Sequence, residues 1–169
     1  FPPLKDRLTI IDFEDYNANE LSQIIQSQCK NITFEQSALK QLAETSRGNA
    51  RDCVKLAKNI ELYCSTKNVF ANKSLNQKNT FTKSDFPKFC DELGINPLGV
   101  NHIEKKVLEI LRREGQASLQ ELCAKTGMSR SAIQRDVELY LMKKNFIKID
   151  GKRHITKQGI DYIDTKVKK

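Results

Sequence analysis

The order of helical and β-type signals in the last third of the chain restricts its fold more than any other feature. Three stretches with helical spacing follow one another and are separated at glycines. Two β-type runs, at 146–149 and 153–155, then flank Asp150-Gly151, a dipeptide that favours a type I′ hairpin turn because both central residues of that turn need positive φ. Helix, helix-turn-helix and hairpin in this order predict a winged helix. Its predicted buried residues are Ile103, Val107, Ile110, Leu111, Leu119, Leu122, Cys123, Ile133, Val137, Tyr140 and Leu141.

The first hundred residues carry a separate set of helix signals. Together with apolar stripes of helical spacing, these signals predict a small four-helix unit. An extended segment at 8–13 precedes the unit and leads into it. The polar run 66–80 lacks periodicity and predicts a loop between the third and fourth helices, and the turn formers of 94–99 predict a linker. Capping boxes at helix starts are predicted for four pairs along the chain. These pairs are Asn17/Glu20, Thr33/Gln36, Thr82/Asp85 and Ser118/Glu121.

Positive charge is concentrated in the predicted winged helix. Residues 101–169 hold 16 lysines and arginines against 9 acidic residues, whereas residues 1–100 hold 13 against 12. An excess confined to one small domain favours a polyanion as its partner. No apolar run approaches the roughly 20 residues of a membrane-spanning helix, and no signal peptide pattern is present. The five cysteines lack paired spacing, which predicts free, mostly buried thiols and neither a metal site nor a disulfide framework.

The helix that Ser129 is expected to cap is the candidate reader of a duplex. If its apolar stripe is buried, Arg130, Ser131, Gln134 and Arg135 face outward, near a major groove. The hairpin tip adds cations suited to phosphate, and the acidic Asp136 and Glu138 on the helix favour backbone contact without sequence preference. A winged helix that binds proteins remains the alternative, because basic residues on an exposed helix are often only a solvated face. The hairpin cations are Lys148, Lys152 and Arg153.

An ordered set of segments resembles one family. Four segments resemble the C-terminal winged-helix domain of the RuvB-type Holliday-junction branch-migration motor. Segment 47–51 (Arg-Gly-Asn-Ala-Arg) resembles the sensor-2 segment in the lid of this AAA+ family, and 3–7 resembles the end of its ATPase core. The departures are Asn49-Ala50 in place of the commoner Thr-Pro, and a shorter hairpin tip. The four winged-helix segments are 99–108, 137–142, 145–147 and 151–153.

The resemblance implies a mainly α chain in three parts. Residues 1–13 would be the tail of the ATPase core, 14–95 a small helical lid and 96–169 a winged helix with a short β-hairpin wing. Since the chain begins with Phe1 and contains no G-x-x-x-x-G-K-[ST] motif, we expect a fragment that neither binds nor hydrolyses ATP alone. The parent protein would be a cytoplasmic homo-hexamer that uses ATP with Mg²⁺, binds duplex DNA and four-way junctions, and works with a junction-binding partner protein.

Individual roles also follow from the resemblance. Arg51 matches the sensor-2 arginine that reaches the nucleotide phosphates, and Arg7 matches the arginine that acts on the neighbouring subunit's nucleotide. Tyr16 matches a position near the nucleotide. In the wing, Arg153 matches a DNA-contacting arginine, whereas a second such arginine falls near Ile149, which cannot make the contact. Lys148 or Lys152 would then substitute for it.

Three other classes remain open at this point. A replication initiator or clamp-loader subunit also joins a lid to a C-terminal domain, and an initiator would prefer an origin sequence. A winged-helix transcription regulator would dimerise, prefer palindromic sites and need no arginine at a nucleotide phosphate. A protein-interaction module would have no DNA role, and titration with DNA at rising salt separates it from the other classes.

Overall fold

Helices account for most of the chain in the computed structural model, which describes residues 9, 11, 13–70 and 79–167. The mainly α fold class is therefore confirmed. The chain divides into two units, Phe1–Gly99 and Val100–Lys169. The extended segment predicted at 8–13 lies largely outside the described residues.

The first unit combines helices with one short pair of strands. Strand β1 pairs with β2 in parallel, with Phe34 opposite Phe81. Its elements are α1 (Ala18–Gln28), β1 (Ile32–Phe34), α2 (Gln36–Thr45), α3 (Ala50–Phe70), β2 (Asn79–Phe81), α4 (Asp85–Leu93) and a 3₁₀ turn (Pro97–Gly99).

Two predictions for this unit are wrong. Thr33 does not cap a helix, because it lies inside β1, and α2 begins after Glu35 without a side-chain cap. The loop predicted at 66–80 is helical up to residue 70 and a strand from residue 79, and residues 71–78 lie outside the described part of the chain. The parallel pair joins residues far apart in sequence, and no local periodicity signals such a contact.

An aromatic cluster joins the strand pair to the helices of the first unit. The Phe81 ring meets Phe89 edge to face, with 5.6 Å between centroids, and Tyr63 lies 5.9 Å from Phe81 and 5.5 Å from Phe89. Edge-to-face packing of this kind adds stabilisation beyond simple burial. Phe34 completes the cluster from β1, at 6.0 Å from Phe81. The short strands are thus attached to the core by aromatic packing rather than by a long run of backbone hydrogen bonds.

The second unit has the predicted order of helix, helix-turn-helix and hairpin. A two-residue strand after the first helix adds to the hairpin, so the sheet is antiparallel with β5 between β3 and β4. Helix α7 widens into a π-helical turn at its centre. The elements are α5 (His102–Glu114), β3 (Gln116–Ala117), α6 (Leu119–Thr126), α7 (Arg130–Ala132, π turn Ile133–Glu138, Leu139–Lys143), β4 (Ile147–Asp150), β5 (Lys152–Ile155) and α8 (Lys157–Val167).

Two of the four predicted capping boxes form in full. Asn17 and Ser118 form complete capping boxes with Glu20 and Glu121, and Asn101 forms a further box with Glu104 that the sequence reasoning missed. At α4 the box is incomplete: Asp85 accepts the Thr82 N–H at 2.9 Å, but the N-cap is Ser84, whose side chain makes no capping bond to the helix backbone.

The hairpin forms where it was predicted but with a different turn. Gly151 has φ +62°, whereas Asp150 is absent from the residues with positive φ. A type I′ turn needs positive φ at both positions, so that part of the prediction is wrong.

Four of the five cysteines are buried, Cys123 is half-buried, and none of the five, all of which lie in the described ranges, forms a disulfide. Burial raises the pKa of Cys29 to about 12, which keeps this thiol protonated. Across the described ranges, no helix is long and apolar enough to cross a membrane, and no group of three potential metal ligands occurs.

Candidate nucleic-acid interface

Helix α7 presents one apolar and one basic side. Its first turn is capped by the Ser129 hydroxyl, which accepts the Ala132 N–H at 3.3 Å. Ile133 and Val137 are fully buried and fix the rotation of the helix. The four residues predicted to face outward are exposed, which leaves a polar, mainly basic surface at the helix start. These residues are Arg130, Ser131, Gln134 and Arg135.

The two arginines on this surface differ in their surroundings. Arg135 donates to its neighbour Asp136, with 2.8 Å between Nε and Oδ1. The hydrogen bond raises the pKa of Arg135 and lowers that of Asp136, so both groups stay charged. Among the described residues no carboxylate pairs with Arg130. Arg130 therefore offers its whole charge to a ligand, whereas that of Arg135 is partly compensated.

Strand register sorts the hairpin residues onto two faces. Cross-strand partners share a face, and successive residues alternate between faces. Lys148 lies opposite His154, and Lys152 lies opposite Asp150, so all four belong to one face, which we call the outer face. Lys148 and Lys152 are both exposed there. The outer face can thus present two flexible ammonium groups to a phosphate backbone.

Arg153 lies on the inner face of the same hairpin. It is opposite Ile149 on β4 and Ala117 on β3, and only 8% of it is exposed. Its guanidinium makes a bidentate pair with Glu138 of α7, at 2.7 Å for Nε to Oε1 and 3.3 Å for Nη2 to Oε2. To bind a phosphate as predicted, the guanidinium would have to exchange Glu138 for that ligand.

Glu138 does not lie where the sequence reasoning placed it. We expected this carboxylate on the solvent side of α7, where it would weaken a duplex reader, but it is 4% exposed and faces the hairpin. Asp136 is exposed as expected. A buried glutamate paired with a wing arginine carries no sequence signal except the presence of both residues.

In the first unit, the segment 47–51 leads into the 21-residue helix α3. Asn49 caps the helix with two acceptors. Its backbone carbonyl accepts the Cys53 N–H at 3.1 Å, and its side-chain Oδ1 accepts the Arg51 N–H at 2.9 Å. Arg51 is exposed in the first turn. Tyr16, also exposed, donates its backbone N–H to the Gly48 carbonyl at 3.1 Å. The structure therefore brings the predicted positions Tyr16 and Arg51 to the same end of α3.

Contacts around this segment reach the end of the first unit. Arg47 has φ +55° and donates from Nη1 to the Gly99 carbonyl at 3.5 Å. A Cβ on Gly99 would lie 2.3 Å from the Thr45 carbonyl oxygen. Only glycine fits here, which the sequence reasoning did not anticipate. Arg7, the remaining predicted site residue, lies outside the described residues.

The fold defines a winged-helix domain, and its helix α7 and hairpin carry an exposed basic surface. Residues 97–164 match the family model of the RuvB C-terminal winged helix domain. This stretch therefore resembles the RuvB-type winged helix, and the predicted family resemblance is confirmed.

Similarity to RuvB proteins extends over nearly the whole chain. The chain is 27% identical to the Holliday junction branch migration complex subunit RuvB of Campylobacter hominis, over 98% of the chain and 48% of that protein. For Prochlorococcus marinus AS9601 RuvB the identity is 28%, over 97% of the chain and 46% of that protein. The chain spans about half the length of the curated relatives it matches.

A solved structure has the same fold. The Thermotoga maritima RuvB Holliday junction branch migration motor superposes with a TM-score of 0.71 at 22% sequence identity. The match covers 96% of this chain and 54% of that one. The likeness thus includes both units.

Proposed function

We propose that this chain is the C-terminal part of a RuvB-like ATP-dependent DNA translocase and that its winged helix binds the DNA backbone without sequence preference. The observation that carries the proposal is an exposed set of four cations in a RuvB-type winged helix. We call these residues the basic set: Arg130 and Arg135 on α7, and Lys148 and Lys152 on the outer face of the hairpin.

The chemistry of the basic set suits a motor. Lysine and arginine contacts to phosphates fix position and orientation but carry no sequence information. A translocating protein must hold every sequence that passes, and backbone contacts allow this. Such contacts displace condensed counterions, so binding should weaken steeply as salt rises.

For the first unit we propose the role of an AAA+ lid, with domain limits 14–95 for the lid and 96–169 for the winged helix. The N-terminal end of α3 suits an anionic phosphate for two reasons. The exposed guanidinium of Arg51 lies in the first turn, and the dipole of a long helix favours anions at its N-terminus. Tyr16 is held beside the same turn by its bond to Gly48. A bound nucleotide, ATP with Mg²⁺, would supply the phosphoanhydride bond whose hydrolysis drives movement.

We extend the proposal to the whole protein. It would form a homo-hexameric ring in the cytoplasm, act on four-way junctions with a junction-binding partner protein, and serve recombination and repair. Arg7 would then stabilise charge on the neighbouring subunit's nucleotide. The initiator, clamp-loader and regulator alternatives are not favoured by the family model, relatives and solved structure named above, each of which is a RuvB.

Salt titration of DNA binding tests the proposal. The chain is titrated against a four-way junction and two duplexes of unrelated sequence, at roughly 50 to 200 mM salt. Four whole phosphate contacts would give a fall in affinity of about 150-fold over that range, with a slope near −3.6 on a log–log plot, and the partial compensation of Arg135 makes the expected slope somewhat shallower. We expect equal slopes for both duplexes. Affinity independent of salt would exclude backbone binding, and a strong preference for one duplex would favour a sequence-specific regulator.

A further inference from the structure

The buried pair of Glu138 and Arg153 joins the hairpin to helix α7. The two residues are 15 positions apart and come from the two elements that carry the basic set. Both N–H groups used by Arg153 point at one carboxylate, a fork geometry that fixes orientation as well as distance. The pair therefore restrains both the separation of hairpin and helix and the rotation of one against the other.

The position of each residue makes this restraint effective. Arg153 stands on β5, the middle strand of the sheet, so holding it holds β3 and β4 as well. Glu138 is the last residue of the π turn, immediately after the buried Val137. A π turn shifts the phase of the residues that follow it and often marks functional positions.

Energetics oppose the use of Arg153 as a phosphate contact. Both side chains are nearly excluded from solvent, at 10% and 5% exposure, and removal of one partner leaves the other as a buried unpaired charge. A phosphate that captured Arg153 would impose that cost on Glu138. Lys148 and Lys152 are exposed on the outer face, so contact with a phosphate would not impose that cost on them.

We propose that Glu138 and Arg153 are positioning residues: their pair sets the hairpin against α7 so that Lys148 and Lys152 reach the backbone of the duplex that α7 contacts. The inference rests on the proposed DNA-binding function. In this proposal the hairpin contacts DNA through the two lysines on its outer face. Its buried cation, Arg153, contacts Glu138 instead and holds the hairpin in place.

Glu138→Gln separates this proposal from direct contact by the sign of the effect. If the pair positions the hairpin, losing the carboxylate charge displaces one or both lysines and weakens duplex binding by about 8- to 60-fold at 100 mM salt. If Arg153 is itself a contact held back by Glu138, the same change releases it and binding strengthens. Glu109→Gln, an exposed position on α5, is the matched control for the change in charge.

A double variant keeps the test independent of a folding defect. Glu138→Leu with Arg153→Met replaces the pair by apolar groups of similar size, which proteins often tolerate. Positioning predicts affinity within about threefold of wild type and an unchanged salt slope, whereas direct contact predicts a slope flatter by about 0.9. Folding of each variant is checked by circular dichroism before titration.

Two magnetic-resonance measurements on the unmodified chain and on Glu138→Gln complete the test. The Arg153 Nε–H signal should not move when duplex is added to the unmodified chain, and a large shift would overturn the proposal. Amide exchange in β5 should accelerate in Glu138→Gln without DNA, and unchanged exchange would also overturn it. If the unmodified chain fails to bind DNA, the proposed function falls, while the exchange measurement still decides whether the pair holds the hairpin.

Discussion

The unequal surroundings of Arg130 and Arg135 give a sharp prediction about α7. Arg130 has no carboxylate partner in the described chain, so its replacement by alanine removes one whole phosphate contact. That contact is worth about 15-fold in affinity at 50 mM salt, about 8-fold at 100 mM and about 4-fold at 200 mM. Arg135 must first leave Asp136, at 2.8 Å, or bind beside its negative charge. We therefore expect Arg135→Ala to weaken binding by less than about threefold at 100 mM.

Asp136→Asn provides the reciprocal test of the same reasoning. Without the carboxylate, Arg135 becomes equivalent to Arg130, and binding should strengthen by about 3- to 8-fold at 100 mM salt. Fluorescence anisotropy with a labelled duplex measures all three variants, and thermal unfolding confirms that each is folded. The reasoning is refuted if Arg135→Ala is as harmful as Arg130→Ala while Asp136→Asn has no effect, because the pair would then open at no cost.

Two further predictions concern the first unit. Burial would raise the pKa of Asp85, but hydrogen bonds from Lys67 Nζ and Thr82 outweigh burial and lower that pKa. The stabilisation from the ionised carboxylate is therefore present above the ordinary pKa of 3.8 and is lost as pH falls through the lowered pKa. Asp85→Asn should therefore lower the free energy of unfolding in urea by about 1–3 kcal/mol at pH 7. If the two chains still differ in stability at a pH where the wild-type carboxyl is protonated, the ionised carboxylate is not the source of the stabilisation. Gly99→Ala should destabilise the chain by more than Gly94→Ala, because both have positive φ but only the first adds a clash. Equal unfolding midpoints for the two would show that the close approach is not maintained.

Local signals in the sequence predicted the helical parts of both units well. Caps such as Asn17 and Ser118 depend on contacts within four residues, so their spacing alone identifies them. The pairing of β1 with β2 depends instead on Phe34 meeting Phe81, two residues separated by helices α2 and α3. Three-residue strands are too short for a period to be visible, and their partners are chosen by packing.

The wing shows how one local detail can reassign a residue. With a type I′ turn at Asp150-Gly151, Ile149 would pair with Lys152 and Lys148 with Arg153, placing that arginine on the outer face beside Lys148. In the observed turn only Gly151 has positive φ, and the register moves by one residue, so Arg153 pairs with Ile149. A shift of one residue turns a side chain to the opposite face of a strand. The burial of Arg153, and with it the proposal that it positions the hairpin, therefore depends on the geometry of a turn whose sequence alone favours the opposite result.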